Sequence, residues 1–224
     1  MVIYLDGADP VQMHTYHERV GGFTTNPSLM RKCGVSNYRE FAQLALGTAG
    51  GKPISFEVFS DDQDEMIDQA RTISWWGYNI YVKIPVTTTK GETTERVCRT
   101  LSEEGINLNI TAIMTFEQIR GAARWLRPQT PAILSIFCGR IADTGKDPVP
   151  FITEATRVKH ANTKVLWAST RELYNIKQAE QAGADIITVT PDILGKMHLI
   201  GKDLAQYSLE TVKMFYNDGK EITL

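Results

Sequence analysis

The sequence has few cysteines, and they follow no metal-binding or disulfide pattern. The three, Cys33, Cys98 and Cys138, are odd in number and far apart, and no CxxC pair is present. This spacing argues against a zinc site and against a disulfide framework, and it is typical of a protein from a reducing compartment.

Long apolar runs and blocks of like charge are also absent. No run approaches the length that spans a bilayer, and Met1–Asp6 lacks the basic region and long apolar stretch of a signal peptide. The formal net charge is −2, so neither nucleic acid nor an anionic membrane is indicated as a partner. We therefore expect a cytoplasmic protein whose anion binding depends on a few placed residues.

What the sequence does contain is an alternation of short β-rich runs with longer amphipathic stretches. Each of eight runs is followed by a helical pattern, which predicts parallel strands with right-handed crossovers. The eightfold count favours a closed (β/α)8 TIM barrel, one domain over residues 1–224, and the lack of a GxGxxG after the first run lowers the case for an open doubly wound sheet. The predicted strands are Val2–Leu5, Gly22–Thr24, Ile54–Glu57, Ile80–Ile84, Asn107–Ile110, Ala132–Ile136, Lys164–Ala168 and Ile186–Val189.

Helical periodicity is clearest in three segments between these strands. Apolar residues recur at helical spacing within Asp61–Trp76 and Phe116–Leu126. A third helix is predicted over Arg171–Ala182, where Ser169-Thr170 would form the N-cap and Gly183 the C-cap.

An additional C-terminal helix, Leu204–Asn217, is predicted after the eighth unit. It carries Leu204, Tyr207, Val212 and Phe215 roughly along one face. Such a face needs to be covered, either by the chain's own barrel or by a neighbouring subunit. We therefore expect self-association if the barrel leaves this helix uncovered.

Lys83 is the most informative single residue. It lies in the apolar run Ile80–Pro85, and lysine is almost never fully buried unless it is paired or has chemistry to perform. Shielding from water disfavours the charged amine, and the free amine is the form that attacks a ketone to give a Schiff base. The alternative is a lysine at the end of a strand whose side chain extends to the surface.

Polar side chains end seven of the eight predicted strands. In a TIM barrel the active site forms where the strands end and the βα loops begin, so these side chains should converge. Several of them could cap the following helices instead, namely Thr25, Asn26, Ser28, Ser169 and Thr170. In strand order, the strand-end residues are Asp6; Thr24, Thr25 and Asn26; Glu57; Lys83; Asn109 and Thr111; Ser135 and Arg140; and Ser169 and Arg171.

The strand-end residues divide into three chemical groups. Lys83 is an amine nucleophile, and Asp6 and Glu57 are carboxylates able to move protons. Arg140 and Arg171, beside Ser169 and near a predicted helix start, could bind a phosphate. Two other classes stay open: an isomerase or epimerase with Glu57 as base and Lys83 only electrostatic, and a catalytically silent binding barrel.

Seven motifs, in order along essentially the whole chain, resemble the transaldolase family, in its short single-barrel branch that also contains fructose-6-phosphate aldolase. The motifs are Tyr4-Leu5-Asp6, Gly22-Phe23-Thr24-Thr25-Asn26-Pro27-Ser28, Ser55-Phe56-Glu57-Val58, Val82-Lys83-Ile84-Pro85, Asn107-Leu108-Asn109-Ile110-Thr111, Ser135-Ile136-Phe137-Cys138-Gly139-Arg140-Ile141 and Trp167-Ala168-Ser169-Thr170-Arg171.

The resemblance implies a role for each matching residue. Lys83 would form the Schiff base with the donor ketose, Asp6 would take the proton from its C4 hydroxyl, and Glu57 with Thr111 would hold a catalytic water. No metal or cofactor is implied, because the protonated imine is the electron sink. The implied substrate-binding residues are Thr24, Asn26, Asn109, Ser135 and Phe137 for the sugar, with Arg140, Ser169 and Arg171 for its phosphate.

Two positions bear on the reaction. The aldolases of this branch carry tyrosine where this chain has Phe137 and glutamine where it has Glu57, so the resemblance favours transaldolase. That enzyme, of the pentose phosphate pathway, moves a dihydroxyacetone unit from sedoheptulose 7-phosphate or fructose 6-phosphate to glyceraldehyde 3-phosphate or erythrose 4-phosphate. The alternative is a fructose-6-phosphate aldolase that releases free dihydroxyacetone. The branch commonly forms pentamers or decamers, so a homo-oligomer is expected.

Overall fold

The computed structural model describes residues 1–220 and 222. Within them, eight parallel strands close into a barrel in chain order, with β8 pairing back to β1. This confirms the predicted (β/α)8 TIM barrel. The strands are β1 (Val2–Asp6), β2 (Gly22–Thr24), β3 (Ile54–Glu57), β4 (Ile80–Pro85), β5 (Leu108–Ile113), β6 (Ala132–Ile136), β7 (Thr163–Trp167) and β8 (Ile186–Val189).

Helices surround the barrel, and the four predicted ones are present with ends that differ by at most three residues from the expectation. The described residues form α1 (Pro10–Tyr16), α2 (Pro27–Lys32), α3 (Tyr38–Ala49), α4 (Gln63–Ser74), α5 (Glu95–Glu103), α6 (Phe116–Trp125), α7 (Cys138–Ala142), α8 (Val149–Val158), α9 (Tyr174–Ala182), α10 (Pro191–Gly195) and α11 (Leu204–Gly219). None of these helices is both long and apolar enough to cross a membrane.

The start of α9 corrects one prediction. The helix begins at Tyr174, and neither Ser169 nor Thr170 caps it. Ser169 has a φ of +64°, which turns the chain, and the Thr170 hydroxyl donates to the Thr188 carbonyl oxygen at 2.6 Å. The predicted C-cap is correct, because Gly183 ends the helix in the left-handed region at φ +84°.

Alternation along the strands builds two layers of side chains. On β4, Val82 and Ile84 are fully buried among the surrounding helices, whereas Lys83 alternates with them and faces the barrel interior. The interior below the site is filled by a small apolar cluster that includes Tyr4, Ile133 and Leu166. The barrel is therefore a packed core whose inward polar residues collect at its carboxyl-terminal end.

The last helix, α11, is present as predicted but is not covered by the barrel. None of its residues is buried, and Leu204, Val212 and Phe215 are more than half exposed. An amphipathic helix in this state leaves its apolar face open to solvent or to another molecule.

Candidate active site

A cavity of about 460 Å³ opens at the carboxyl ends of the strands. This volume lies within the range usual for small-molecule sites. Eleven of the twelve predicted site residues line it, and Asn109 does not. The eleven are Asp6, Thr24, Asn26, Glu57, Lys83, Thr111, Ser135, Phe137, Arg140, Ser169 and Arg171.

Lys83 is held inside the protein rather than reaching the surface. The residue is 5% exposed, its Nζ donates to the Thr25 carbonyl oxygen at 2.9 Å, and Glu57 Oε2 lies 3.4 Å away. Register explains the approach, because Glu57 is the direct partner of Lys83 across β3 and β4. The amine therefore sits beside a carboxylate at the cavity wall, close enough for a proton to pass between the two groups.

Asp6, at the end of β1, is the second carboxylate of the cavity. It is half-buried, and its Oδ1 accepts a hydrogen bond of 2.8 Å from the Thr24 hydroxyl. Burial raises the pKa of Asp6 above its ordinary value, and the charge of Lys83 and the Thr24 hydrogen bond offset this only in part. A carboxyl group in this state is suited to exchange protons.

The end of β5 carries an irregularity beside the cavity. The pairing of β5 with β6 shifts between Ile110 and Ile113, and Ala112 adopts a φ of +61°. Such a conformation is costly for a residue with a Cβ and is concentrated at functional sites. Beside it, the Thr111 hydroxyl is buried, has no hydrogen-bond partner among the described residues, and lines the cavity. Its hydrogen-bonding capacity is thus left unused by the described residues.

Asn109 is buried next to the residues that line the cavity. It is fully buried, its Nδ2 donates to Ser55 Oγ at 3.0 Å, and its Oδ1 accepts from Ser135 Oγ at 2.7 Å. This side chain therefore fixes Ser135, which does line the cavity. Asn109 is the direct partner of Lys83 across β4 and β5, so it stands level with the reactive amine although it does not line the cavity.

Asn26 combines the two interpretations that the sequence left open. Its Oδ1 caps α2 by accepting a hydrogen bond of 3.0 Å from the Leu29 amide. Asn26 also lines the cavity. Because the cap occupies only the carbonyl oxygen, the amide donors of Asn26 are not used by it.

The cationic end of the cavity is asymmetric. Arg171 pairs with Asp143 through both its Nε, at 3.0 Å from Oδ1, and its Nη2. Arg140 lines the same cavity without such a pair among the described residues. The expected helix amides are not directed at this site, since the amides of Arg171 and Glu172 donate to Asn175 Oδ1. Guanidinium groups, not a helix terminus, give this end its charge.

The backbones of Gly139 and Ser169 approach each other closely at the cationic end of the cavity. A Cβ built on Gly139 would lie 1.6 Å from the Ser169 carbonyl oxygen, so no other residue fits there without movement of the backbone. The turn at Ser169, with φ +64°, points that carbonyl towards α7. Arg140 follows Gly139 directly, so the close approach also sets the position of Arg140.

Three further residues line the cavity or contact its lining, and sequence reasoning missed them. Thr188 lines the cavity at the end of β8, the one strand end left out of the predicted set. Asp143 binds Arg171, and the Tyr38 hydroxyl donates to the Glu57 carbonyl oxygen at 2.9 Å. Counting inward positions on β8 would have found Thr188, but no local pattern points to the other two.

Among the described residues, no three His, Cys, Asp or Glu side chains lie close enough together to hold a metal ion. The fold and this cavity define a TIM-barrel protein with titratable, nucleophilic and cationic groups at its catalytic end.

Comparisons with known proteins agree with this picture. The family model described as transaldolase/fructose-6-phosphate aldolase matches residues 3–223. A probable transaldolase of Nitrosopumilus maritimus is 31% identical over 203 residues, 88% of this chain and 87% of that protein. One from Dehalococcoides mccartyi is 35% identical over 182 residues, 80% of each chain. The chain belongs to the transaldolase/fructose-6-phosphate aldolase family, and is thus an enzyme of the aldolase and transaldolase type.

Solved structures share the fold at low identity. The 3-hexulose-6-phosphate synthase from Salmonella typhimurium superposes with a TM-score of 0.61 at 12% identity, covering 85% of this chain and 89% of that one. Orotidine 5'-monophosphate decarboxylase from Sulfolobus solfataricus gives a TM-score of 0.56 at 16% identity, covering 84% and 87%. At these identities the likeness concerns the TIM barrel alone.

Proposed function

We propose that this protein is a transaldolase, which transfers a dihydroxyacetone unit between sugar phosphates through a Schiff base on Lys83. The observation that carries the proposal is the state of that lysine, 5% exposed at the cavity wall with Glu57 3.4 Å from its amine. The donor would be sedoheptulose 7-phosphate or fructose 6-phosphate, and the acceptor glyceraldehyde 3-phosphate or erythrose 4-phosphate.

The reaction begins with attack of the Lys83 amine on the C2 carbonyl of the ketose. Proton transfers then convert the carbinolamine into the protonated imine with loss of water. Glu57 is within reach of the nitrogen and serves as the proton carrier. The Thr111 hydroxyl, which has no partner among the described residues, orients the water involved.

Asp6 performs the cleavage step. It takes the proton of the C4 hydroxyl, the C3–C4 bond breaks, and its electron pair moves through the imine to give an enamine on Lys83. An aldose phosphate leaves, the acceptor aldehyde enters, and the reverse sequence forms the new bond. The raised pKa of Asp6 suits a group that must both take and return a proton.

The substrate phosphate binds at the cationic end of the cavity, to Arg140, Arg171 and Ser169. Arg140 has no carboxylate partner among the described residues, while Arg171 keeps Nη1 beyond its bidentate pair with Asp143. Asn26 and Ser135, the latter held by Asn109, orient the three-carbon unit.

Phe137 favours transfer over release of the three-carbon unit. Its ring packs on the apolar cluster that includes Leu166 and Ala168. Because phenylalanine has no hydroxyl, it offers no proton donor beside the enamine. The alternative is fructose-6-phosphate aldolase, which the family also contains. Turnover of fructose 6-phosphate only when erythrose 4-phosphate is present supports the transferase, whereas acceptor-independent release of dihydroxyacetone supports the aldolase. Lys83→Met, similar in length, should abolish both.

We also propose a cytoplasmic homo-oligomer, a pentamer or decamer, in which α11 packs on a neighbouring copy. The exposed apolar side chains Leu204, Val212 and Phe215 support this, because the chain's own barrel does not bury them. Light scattering should give a particle mass five or ten times that of one chain. The double variant Val212→Glu, Phe215→Glu should have a lower mass. A monomer at micromolar concentration would contradict the assembly but not the chemistry.

A further inference from the structure

Three side chains form a hydrogen-bonded chain that ends at Asp6. Asp6 Oδ1 on β1 is 2.8 Å from the Thr24 hydroxyl on β2, and that hydroxyl is 2.5 Å from the Thr188 hydroxyl on β8. Thr24 and Thr188 are 3% and 4% exposed, so bulk water does not compete for these bonds. The three strands are neighbours, because β1 pairs with both β2 and β8.

When Asp6 is ionised, the number of available protons fixes which group donates in each of these two hydrogen bonds. A carboxylate only accepts hydrogen bonds, so the Thr24 hydroxyl must donate its one proton to Asp6. Thr24 then has no proton left for Thr188. The 2.5 Å contact therefore requires Thr188 to donate to Thr24.

Donation by Thr188 strengthens the bond to the carboxylate. A hydroxyl that accepts a hydrogen bond becomes a better donor, and such chains polarise one another in a low-dielectric interior. Thr188 is itself held in place, because its carbonyl oxygen accepts from the Thr170 hydroxyl at 2.6 Å.

We propose that Thr188 is a positioning residue for the general base, acting on Asp6 through the Thr24 hydroxyl and thereby setting the pH range in which the base is available. The inference rests on the proposed function of Asp6. Of the other charged groups, Lys83 on β4 acts directly on Asp6, and Glu57, Arg140 and Arg171 line the same cavity. Substitution of Thr188 leaves all four in place.

The first test measures the Asp6 carboxyl directly. Carbon-13 NMR titration of aspartate-labelled protein, with the resonance assigned by Asp6→Asn, gives its pKa without need of turnover. Thr188→Val removes the hydroxyl at constant shape and should raise this pKa by about half a unit, equivalent to roughly a threefold change in the protonation equilibrium. Thr188→Ser keeps the hydroxyl and should leave the pKa unchanged. If the valine variant does not fold, Thr188→Ala replaces it.

The second test asks whether the effect passes through Thr24. In a double-mutant cycle of Thr188→Val and Thr24→Val, Thr188→Val should shift the pKa of Asp6 only when Thr24 is present. The acidic limb of the kcat/KM profile should move to higher pH by the same amount. An unchanged pKa in Thr188→Val, or equal shifts in both backgrounds, would overturn the proposal. A wild-type protein without transferase activity would instead refute the proposed function, since the NMR result does not depend on it.

Discussion

The contact between Gly139 and Ser169 allows a sharp prediction for Gly139→Ala. The new Cβ would lie 1.6 Å from the Ser169 carbonyl oxygen, whereas such atoms essentially never approach within 3.0 Å. The carbonyl must therefore retreat by about 1.4 Å, the difference between these two distances. Overpacking of this kind costs about 1–3 kcal/mol of stability.

The displacement also reaches the proposed phosphate site. Arg140 follows Gly139, and Arg171 follows the Ser169 turn, so both guanidinium groups move with the shifted backbone. A misplacement of about 1 Å can cost roughly 10²-fold in rate. We expect kcat/KM for a phosphorylated donor to fall by about this factor, in a steady-state transfer assay paired with urea denaturation.

Two glycines serve as matched controls for this substitution. Gly145→Ala places a Cβ in open space at φ +79°, so it should cost about 1–2 kcal/mol of stability while KM stays unchanged. Gly47→Ala, in α3 with nothing within 4 Å, should stabilise by about 0.5–1 kcal/mol. A Gly139→Ala variant with wild-type kcat/KM and stability would refute the reasoning.

Three further predictions concern the chemistry. Phe137→Tyr should increase dihydroxyacetone release without acceptor, measured by a coupled reductase assay; unchanged release would remove Phe137 as the determinant. Arg140→Ala should raise KM by about 10- to 100-fold for phosphorylated donors and not for unphosphorylated ones, because a charge-assisted hydrogen bond is lost. Since burial raises the pKa of Asp6, its stabilising contribution is full below the ordinary carboxyl value and lost as pH rises through the raised one. Asp6→Asn should therefore raise Tm at pH 7 while abolishing cleavage, and a lowered Tm would contradict this.

The barrel could be predicted because its signals are local and repeated. Each strand is a short apolar run, and the predicted bounds agree with the structure within three residues, as at β5, which extends to Ile113 instead of Ile110. The extension follows from the irregularity at Ala112, which no periodicity encodes. The start of α9 was missed for a similar reason, because the turn at Ser169 depends on contacts with β8 and α7.

The sequence predicted which residues form the site better than it predicted their contacts. Lys83, Glu57 and Asp6 converge because parallel strands end at one edge, which topology alone requires. The pairing of Arg171 with Asp143 joins residues 28 positions apart, and the burial of Asn109 depends on inward layering. Such contacts depend on the assembled barrel, and local patterns do not carry them.

The most direct test of Lys83 is reductive trapping. Incubation with fructose 6-phosphate and borohydride, followed by peptide mass spectrometry, should find the reduced dihydroxyacetone adduct on the peptide containing Lys83, and Lys83→Met should give none. An adduct on another lysine, or undiminished labelling of Lys83→Met, would contradict the account.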